Sequence, residues 1–242
     1  MGNYILGNNM NNDFAVKLNN ITIAYNRQPA VHHVSGEFKT GELSAITGAN
    51  GAGKSTLLKA IAGILPVFEG SIEFSDIIRS SMAYMPQAAD MQRDFPVNIL
   101  QMVCSGFWQQ SGNFGKISKE QRKQALQALA DVGLNGFENR NLDSISAGQF
   151  QRALFARIIV QNARLILLDE PFTAIDTNTT TALLKIIHGW HKEERTVICV
   201  LHDFEQIKQH FTDCLLLARE TIAWGNPHEV LKPENLLRTL KK

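Results

Sequence analysis

The sequence has little of what staples a small secreted domain: 3 cysteines in 242 residues, at positions 104, 199 and 214. An odd number at such wide spacings supports no disulfide framework. Cys199 and Cys214 sit in apolar runs that read as strands, so buried free thiols in a reducing compartment are expected. An excess of charge is missing too. The chain has 24 Lys and Arg against 23 Asp and Glu, spread along its length. That leaves no basic footprint, and no nucleic-acid partner is expected. No apolar run approaches the roughly eighteen residues of a membrane span. Residues 1–12 are rich in Asn and have neither a basic start nor an apolar stretch, so no secretory signal is read there. Leu6 stands where an N-myristoylation motif needs Ser or Thr. This segment is expected to be a frayed tail. If the chain works at a membrane, another polypeptide must hold it there.

What the chain does have is 44% hydrophobic residues, enough for one α/β domain with its own core. Short or alternating apolar runs at 14–25, 34–38, 43–46, 71–74, 82–85, 165–168, 196–201, 214–217 and 221–224 predict strands. Helical spacing is found at 54–62, 98–105, 118–131, 148–161, 179–190 and 204–210. Strands come first, then a helix-rich middle, then strands and helices in alternation. That order implies a parallel core sheet with a helical insertion at about 88–160, within a single domain of 13–242.

Residues 48–55, GANGAGKS, have the spacing of a phosphate-binding loop and lie between an apolar strand and a helix. Glycines at 48, 51 and 53 let the backbone curl so that its N–H groups converge on phosphates. Lys54 supplies a point charge for the β and γ phosphates, and Ser55 offers a hydroxyl to Mg²⁺. The helix that starts there turns its positive end towards the anion. The whole run of Gly48, Asn50, Gly51, Gly53, Lys54, Ser55 and Thr56 is read as the phosphate site.

The run at 165–170, LILLDE, is an apolar strand ending in two acids, and strand ends in parallel sheets carry chemistry. Neighbouring residues point to opposite sides, so the two carboxylates have different tasks. Asp169 is placed for the Mg²⁺ shell, and Glu170 for orienting or deprotonating an attacking water. Ser146-Ala147-Gly148-Gln149 has the Ser-x-x-Gln form of a helix capping box. Gly148 lowers helix propensity in that first turn, which suits a backbone that a ligand approaches closely.

The run ISAGQ at 145–149, followed by Gln151 and Arg152, resembles the signature motif of ABC ATPases. Other landmarks of that family follow in order, and the similarity covers about 13–240. Tyr25 sits where the family has its adenine-stacking aromatic, Gln87 in YMPQ resembles the Q-loop, Ala174-Ile175-Asp176 the D-loop, and His202 the switch histidine. Taken alone, Tyr25 reads equally as a strand-face core residue and His202 as a strand-end histidine. The resemblance implies a P-loop NTPase with a mixed sheet core, an antiparallel β subdomain (core and β subdomain about 13–87 and 161–242) and an inserted helical subdomain. It also implies ATP and Mg²⁺ as ligands, with Lys54, Glu170 and His202 catalytic. Ser55, Gln87 and Asp169 would serve the metal, while Ser146, Gly148, Gln149 and Asp176 would contact nucleotide. In this family two chains meet head to tail, so each ATP lies between one chain's P-loop and the other's signature helix.

The resemblance is nearest to the ATPases of manganese, zinc and iron importers, through DFPV at 94–97, Val103, Gly106 and PFT at 171–173. Phe107 departs from that group, which often has arginine there. A permease subunit would dock near 87–108, with an extracytoplasmic substrate-binding protein acting through it. The chain would then sit peripherally on the cytoplasmic face of the inner membrane. Phe95, Pro96, Phe107 and Trp108 are read either as that dock or as packing of the helical lobe. Rival functions are a siderophore, haem or cobalamin importer ATPase, a soluble ABC protein of translation or DNA repair, and a nucleotide-binding regulator that does not hydrolyse. Soluble ABC proteins usually carry two cassettes or a long coiled coil, which this chain lacks, and intact Lys54, Asp169, Glu170 and His202 argue against the regulator. His188 and His191, three apart on a helix, have no further metal ligand nearby in sequence. His32 and His33 are read as loop residues.

Two departures in the signature remain, Ile145 for leucine and Ala147 for glycine. The first is conservative. The second adds a methyl group near the γ-phosphate, so Ala147→Gly is expected to hydrolyse ATP faster than the native chain. Equal rates in a steady-state ATPase assay would remove that concern.

Overall fold

The computed structural model describes residues 4–6, 13–25, 28–79, 81–108 and 116–239. They divide into two compact units. Unit 1 comprises Met1–Met82, Arg164–Asp169 and His188–Lys242, and unit 2 comprises Ala83–Ala163 and Glu170–Ile187.

Unit 1 contains two sheets. In the first, β1 (Tyr4–Leu6), β2 (Phe14–Tyr25) and β3 (Gln28–Lys39) join the later strand at Glu69–Phe74. With β4 (Leu43–Thr47) preceding it, that strand is β5, and the sheet order is β1-β5-β2-β3. β2 runs antiparallel to both β3 and β5. Alternate residues Val16, Leu18, Val34 and Phe38 are buried, which is the period-2 pattern of a sheet packed on one face.

The second sheet is built on β4, β7 (Leu165–Asp169) and β8 (Thr196–Val200), with β9 (Asp213–Ala218) and β10 (Glu220–Gly225) beyond. Its order is β10-β9-β4-β8-β7, with β6 (Met82–Met85) at the end, where the chain leaves unit 1. β8 and β9 run parallel to β4, β7 runs parallel to β8, and every residue of β4, β7 and β8 is buried. Continuous apolar runs such as LILL and TVICV are what a sheet covered on both faces selects. Helices α1 (Lys54–Ile61) and α2 (Asp76–Arg79) belong to this unit.

Unit 2 holds α3 (Ile99–Cys104), α4 (Lys119–Asp131) and α5 (Ala147–Gln161), and α6 (Thr177–Lys192) begins in it. Each of the first three opens with a capping box, made by Asn98 with Gln101, Ser118 with Gln121, and Ser146 with Gln149. Such caps contribute about 1 kcal/mol each, and they fix where each helix starts. Val103, Phe107, Leu129, Phe150, Leu154 and Ile158 form the apolar interior of this unit. The C-terminal part of the chain returns to unit 1 with α7 (Phe204–His210), α8 (Pro227–Val230) and α9 (Pro233–Thr239). No helix of the described residues is long and apolar enough to cross a membrane.

Two differences from the sequence reading have physical causes. Tyr4–Leu6, inside the segment expected to fray, pairs in parallel with Ile72–Phe74 of β5; three residues are too few to carry a readable alternation. His32 and His33 lie within β3 rather than in a loop. There Asn20 and His33 take positive φ values of 49° and 47° where the β2–β3 register shifts, and the bulge breaks the period-2 signal.

Cys104, Cys199 and Cys214 are all free and buried. Burial pushes the Cys214 thiol from the ordinary 9.0 up to about 12, with the Asp213 carboxylate adding to it. Burial raises Cys199 as well, with Asp169 contributing. A folded-state value above the unfolded one means the stabilisation is complete below pH 9 and fades as pH rises towards 12. At pH 8 the native chain should therefore resist Ellman's reagent and release three equivalents only in denaturant. Rapid native reaction at any of the three would contradict their burial.

Candidate functional site

In unit 1 the buried strand β4 ends at Thr47, and the chain turns sharply through Gly48 at φ +148°. A Cβ on Gly48 would lie 2.0 Å from the carbonyl oxygen of Leu217, so any other residue would force the loop off the sheet. The loop then closes on its own lysine. Lys54 Nζ donates to the carbonyl oxygens of Gly48 and Ala49, both at 2.9 Å, and the residue is only 6% exposed. α1 starts with Gly53 at its N-cap, which has no side chain to cap the helix, and the positive end of the helix dipole lies at the loop. Asn50 and Gly51 are exposed, and Thr56 is half-buried.

Beneath the loop, Ser55 Oγ donates to Asp169 Oδ1 at 2.8 Å, and Asp169 is completely buried. The parallel register explains the meeting. Ile46 and Asp169 both pair with Val200, so β4, β7 and β8 end together and bring residue 48 onward, Asp169 and His202 to one edge of the sheet. His202 is exposed there, just ahead of Asp203, whose Oδ1 accepts from the N–H groups of Glu205 and Gln206 and starts α7. A hydroxyl and a carboxylate held together are hard oxygen donors, the ligand type that Mg²⁺ takes. The residues present therefore fit a magnesium ion next to bound phosphates.

A cavity of about 440 Å³ lined by Gln28, Pro29, Ala30, His32, Gly51 and Arg219 adjoins the phosphate loop. Arg219, at φ +61°, donates its N–H to Ala52 O at 2.9 Å, and its own carbonyl accepts from His32 N at 2.7 Å. Sequence reasoning missed Arg219 and His32, because neither belongs to a motif and only strand pairing brings them here. Tyr25 is the last residue of β2, and its side chain lies outside the described residues.

Unit 2 carries the other predicted residues. Glu170 has φ +50°, a left-handed conformation that a non-glycine residue adopts at a cost of about 1 kcal/mol or more. Its carbonyl accepts from Gln151 Nε2 at 3.1 Å and from Thr173 N at 3.3 Å, and its Oε2 accepts from Thr173 Oγ1 at 3.2 Å. At the start of α5, Ser146 Oγ accepts from Gln149 N at 3.2 Å while Gln149 Oε1 accepts from Ser146 N at 3.0 Å. A Cβ on Gly148 would fall 2.6 Å from Ala174 O. The glycine that the sequence suggested for ligand approach is thus already required by the close approach of the 170–176 loop. Ala147 is exposed and is not among the residues with positive φ, so its methyl group brings no backbone strain.

Asp176 is occupied locally. Its carboxylate accepts from Thr179 N at 3.0 Å and Thr179 Oγ1 at 2.7 Å at the start of α6, and these bonds hold its pKa below the ordinary value. Gln87 is half-buried at the N-cap of a 3₁₀ turn, Ala88–Asp90. Of the aromatic set read two ways, Phe107 is 1% exposed and packs the interior, whereas Phe95 and Trp108 are 67% and 59% exposed. His191 Nδ1 bonds to Gly41 O at 2.7 Å, and His188 lies beside His210 at 5.2 Å between ring centroids. Among the described residues no group of three or more His, Cys, Asp or Glu is placed to hold a metal ion.

Comparison with known proteins adds three findings. A family model described as ABC transporter matches residues 31–173. The chain is 35% identical to the manganese transport system ATP-binding protein MntB of Bacillus subtilis, over 93% of this chain and 92% of the relative. It is also 35% identical to the zinc transport system ATP-binding protein TroB of Treponema pallidum, over 88% of this chain and 81% of the relative. Among solved structures it is similar to a dimeric ATP-binding cassette in a post-hydrolysis state, bound to ADP and Pi. That match has a TM-score of 0.78 and 26% identity, over 88% of this chain and 98% of the other.

The clash at Gly148 makes a distinct prediction. Gly148→Ala should lower ATP turnover by about tenfold or more while a fluorescent nucleotide still binds the isolated chain within about twofold of wild type. Unchanged turnover would show that the Ala174 carbonyl gives way freely.

Proposed function

Because this chain belongs to the ABC transporter family, as an ATP-binding and ATP-hydrolysing subunit, we propose that it powers import of a divalent metal ion, manganese, zinc or iron, through a membrane permease. The observation that carries the ATPase chemistry is the 2.8 Å bond between Ser55 and buried Asp169 under a glycine loop closed on Lys54. The metal cargo is supported by the named transport systems of the relatives. Identity is 35% to both the manganese and the zinc protein, so it does not choose between these two cargoes.

On this reading the loop N–H groups and Lys54 bind the β and γ phosphates. Ser55 and Asp169 would hold a magnesium ion with Gln87 joining its shell, and the ion would neutralise phosphate charge. Glu170 orients the attacking water and accepts its proton, and His202 donates to the γ-phosphate. Tyr25 stacks on adenine. Ser146, Gly148 and Gln149 meet the nucleotide of a second copy, arranged head to tail, and Asp176 reaches that interface. The dimeric state of the ADP-bound relative supports that arrangement.

Exposed Phe95 and Trp108 suit a dock for a permease segment within 87–108. An extracytoplasmic binding protein would act only through that permease, and the chain would sit on the cytoplasmic face of the membrane. ATP binding closes the pair of chains because nucleotide has higher affinity for the closed state, and hydrolysis releases it.

Glu170→Gln should abolish turnover, retain ATP and elute as a dimer in size-exclusion chromatography with ATP. A monomeric, ATP-free variant would contradict the assignment of Glu170. In cells carrying Lys54→Ala, uptake of one radiolabelled metal among manganese, zinc and iron should fall about tenfold or more. Normal uptake of all three, with loss of a haem, siderophore or cobalamin, would move the cargo to that class.

A further inference from the structure

α5 carries one polar residue on its buried side. Phe150, Ala153, Leu154, Phe155, Ala156, Ile158 and Val160 are apolar, whereas Gln151 is buried to 1% exposure in their midst. Its Oε1 is buried with no hydrogen-bond partner among the described residues. An unpaired buried acceptor is costly, and a leucine or methionine of similar length would avoid that cost. The amide's other end is engaged: Nε2 donates to the carbonyl oxygen of Glu170 at 3.1 Å. A carbonyl can only accept, so this bond fixes which end of the amide faces Glu170.

The atom it holds belongs to a strained residue. Glu170 sits at φ +50°, so its peptide carbonyl and its side-chain direction are set together by a conformation that must be maintained from outside. Thr173 contributes from within the same loop, through N–H to Glu170 O and Oγ1 to Oε2. Gln151 contributes from a helix, five residues after Ser146.

The structure assigns Gln151 as a positioning residue for hydrolysis, which holds the Glu170 backbone in its left-handed turn so that the carboxylate points at the attacking water. The assignment rests on the proposed role of Glu170 as the group that handles that water. Gln151 does not touch nucleotide; it acts through Glu170 alone. Nucleotide affinity should therefore be indifferent to it, and turnover should not.

The test compares Gln151→Met, Glu170→Gln and the double variant of the full chain, by steady-state ATPase with Mg-ATP, nucleotide-binding fluorescence and thermal melting. Gln151→Met should lower kcat about tenfold, leave KM for ATP within about twofold, and melt like wild type. In the inactive Glu170→Gln background it should leave nucleotide-binding fluorescence unchanged. Wild-type kcat in Gln151→Met, with Glu170→Gln inactive, overturns the inference and leaves the function standing. Wild-type turnover in Glu170→Gln overturns the reading on which the inference rests. Weaker nucleotide binding in the double variant, or a changed KM, makes Gln151 a packing residue and also overturns it. Should Gln151→Met fail to fold, Gln151→Leu replaces it, and failure of both overturns the inference in favour of a role in folding alone.

Discussion

A fully buried carboxylate at the end of a parallel strand needs a partner, and Asp169 has one in the hydroxyl of Ser55 at 2.8 Å. Hydrogen bonds to charged groups contribute about 2 kcal/mol, but the larger consequence is positional. The bond ties the end of β7 to the first turn of α1, and the parallel register then sets the end of β8 alongside. Lys54 meanwhile holds the loop between β4 and α1 by bonding back to Gly48 and Ala49. Those two lysine bonds keep an ammonium, a loop and a helix end arranged for phosphate in the structure itself.

From Asp169 the chain passes within one peptide bond to Glu170, the first residue of the returning segment of unit 2. A strained φ at that residue, a carbonyl taken by Gln151 and Thr173, and a glycine packed against Ala174 all belong to one short loop and the helix beside it. Strain of this kind persists only where surrounding contacts over-determine it. The same helix begins with the Ser146–Gln149 box, so one element of unit 2 carries both the signature sequence and the hold on the acid.

Much of this was legible in the sequence for identifiable reasons. The strands of the second sheet are continuous apolar runs bounded by turn residues, and β6 and α7 coincide with their expected bounds. The capping box at 146 was read correctly because its two residues act on each other locally. What escaped depends on pairing between distant segments. β1 is three residues long, and the bulge at His33 interrupts the strand period. Arg219 reaches the phosphate loop only through sheet pairing. The meaning of Gly148 also changed, because no sequence pattern reveals that a carbonyl 26 residues later would lie 2.6 Å from a Cβ placed there. Phe107 and Trp108 are adjacent in sequence and part company in the fold, one buried and the other exposed.

In the head-to-tail arrangement proposed above, the phosphate loop and the signature helix of one chain serve two different nucleotides, so a single chain would not complete a site. Specific ATPase activity measured against protein concentration tests this directly. Activity per chain is expected to rise with concentration at high dilution and to reach a plateau once chains pair. Activity per chain that stays constant down to concentrations at which light scattering finds only monomers would contradict it.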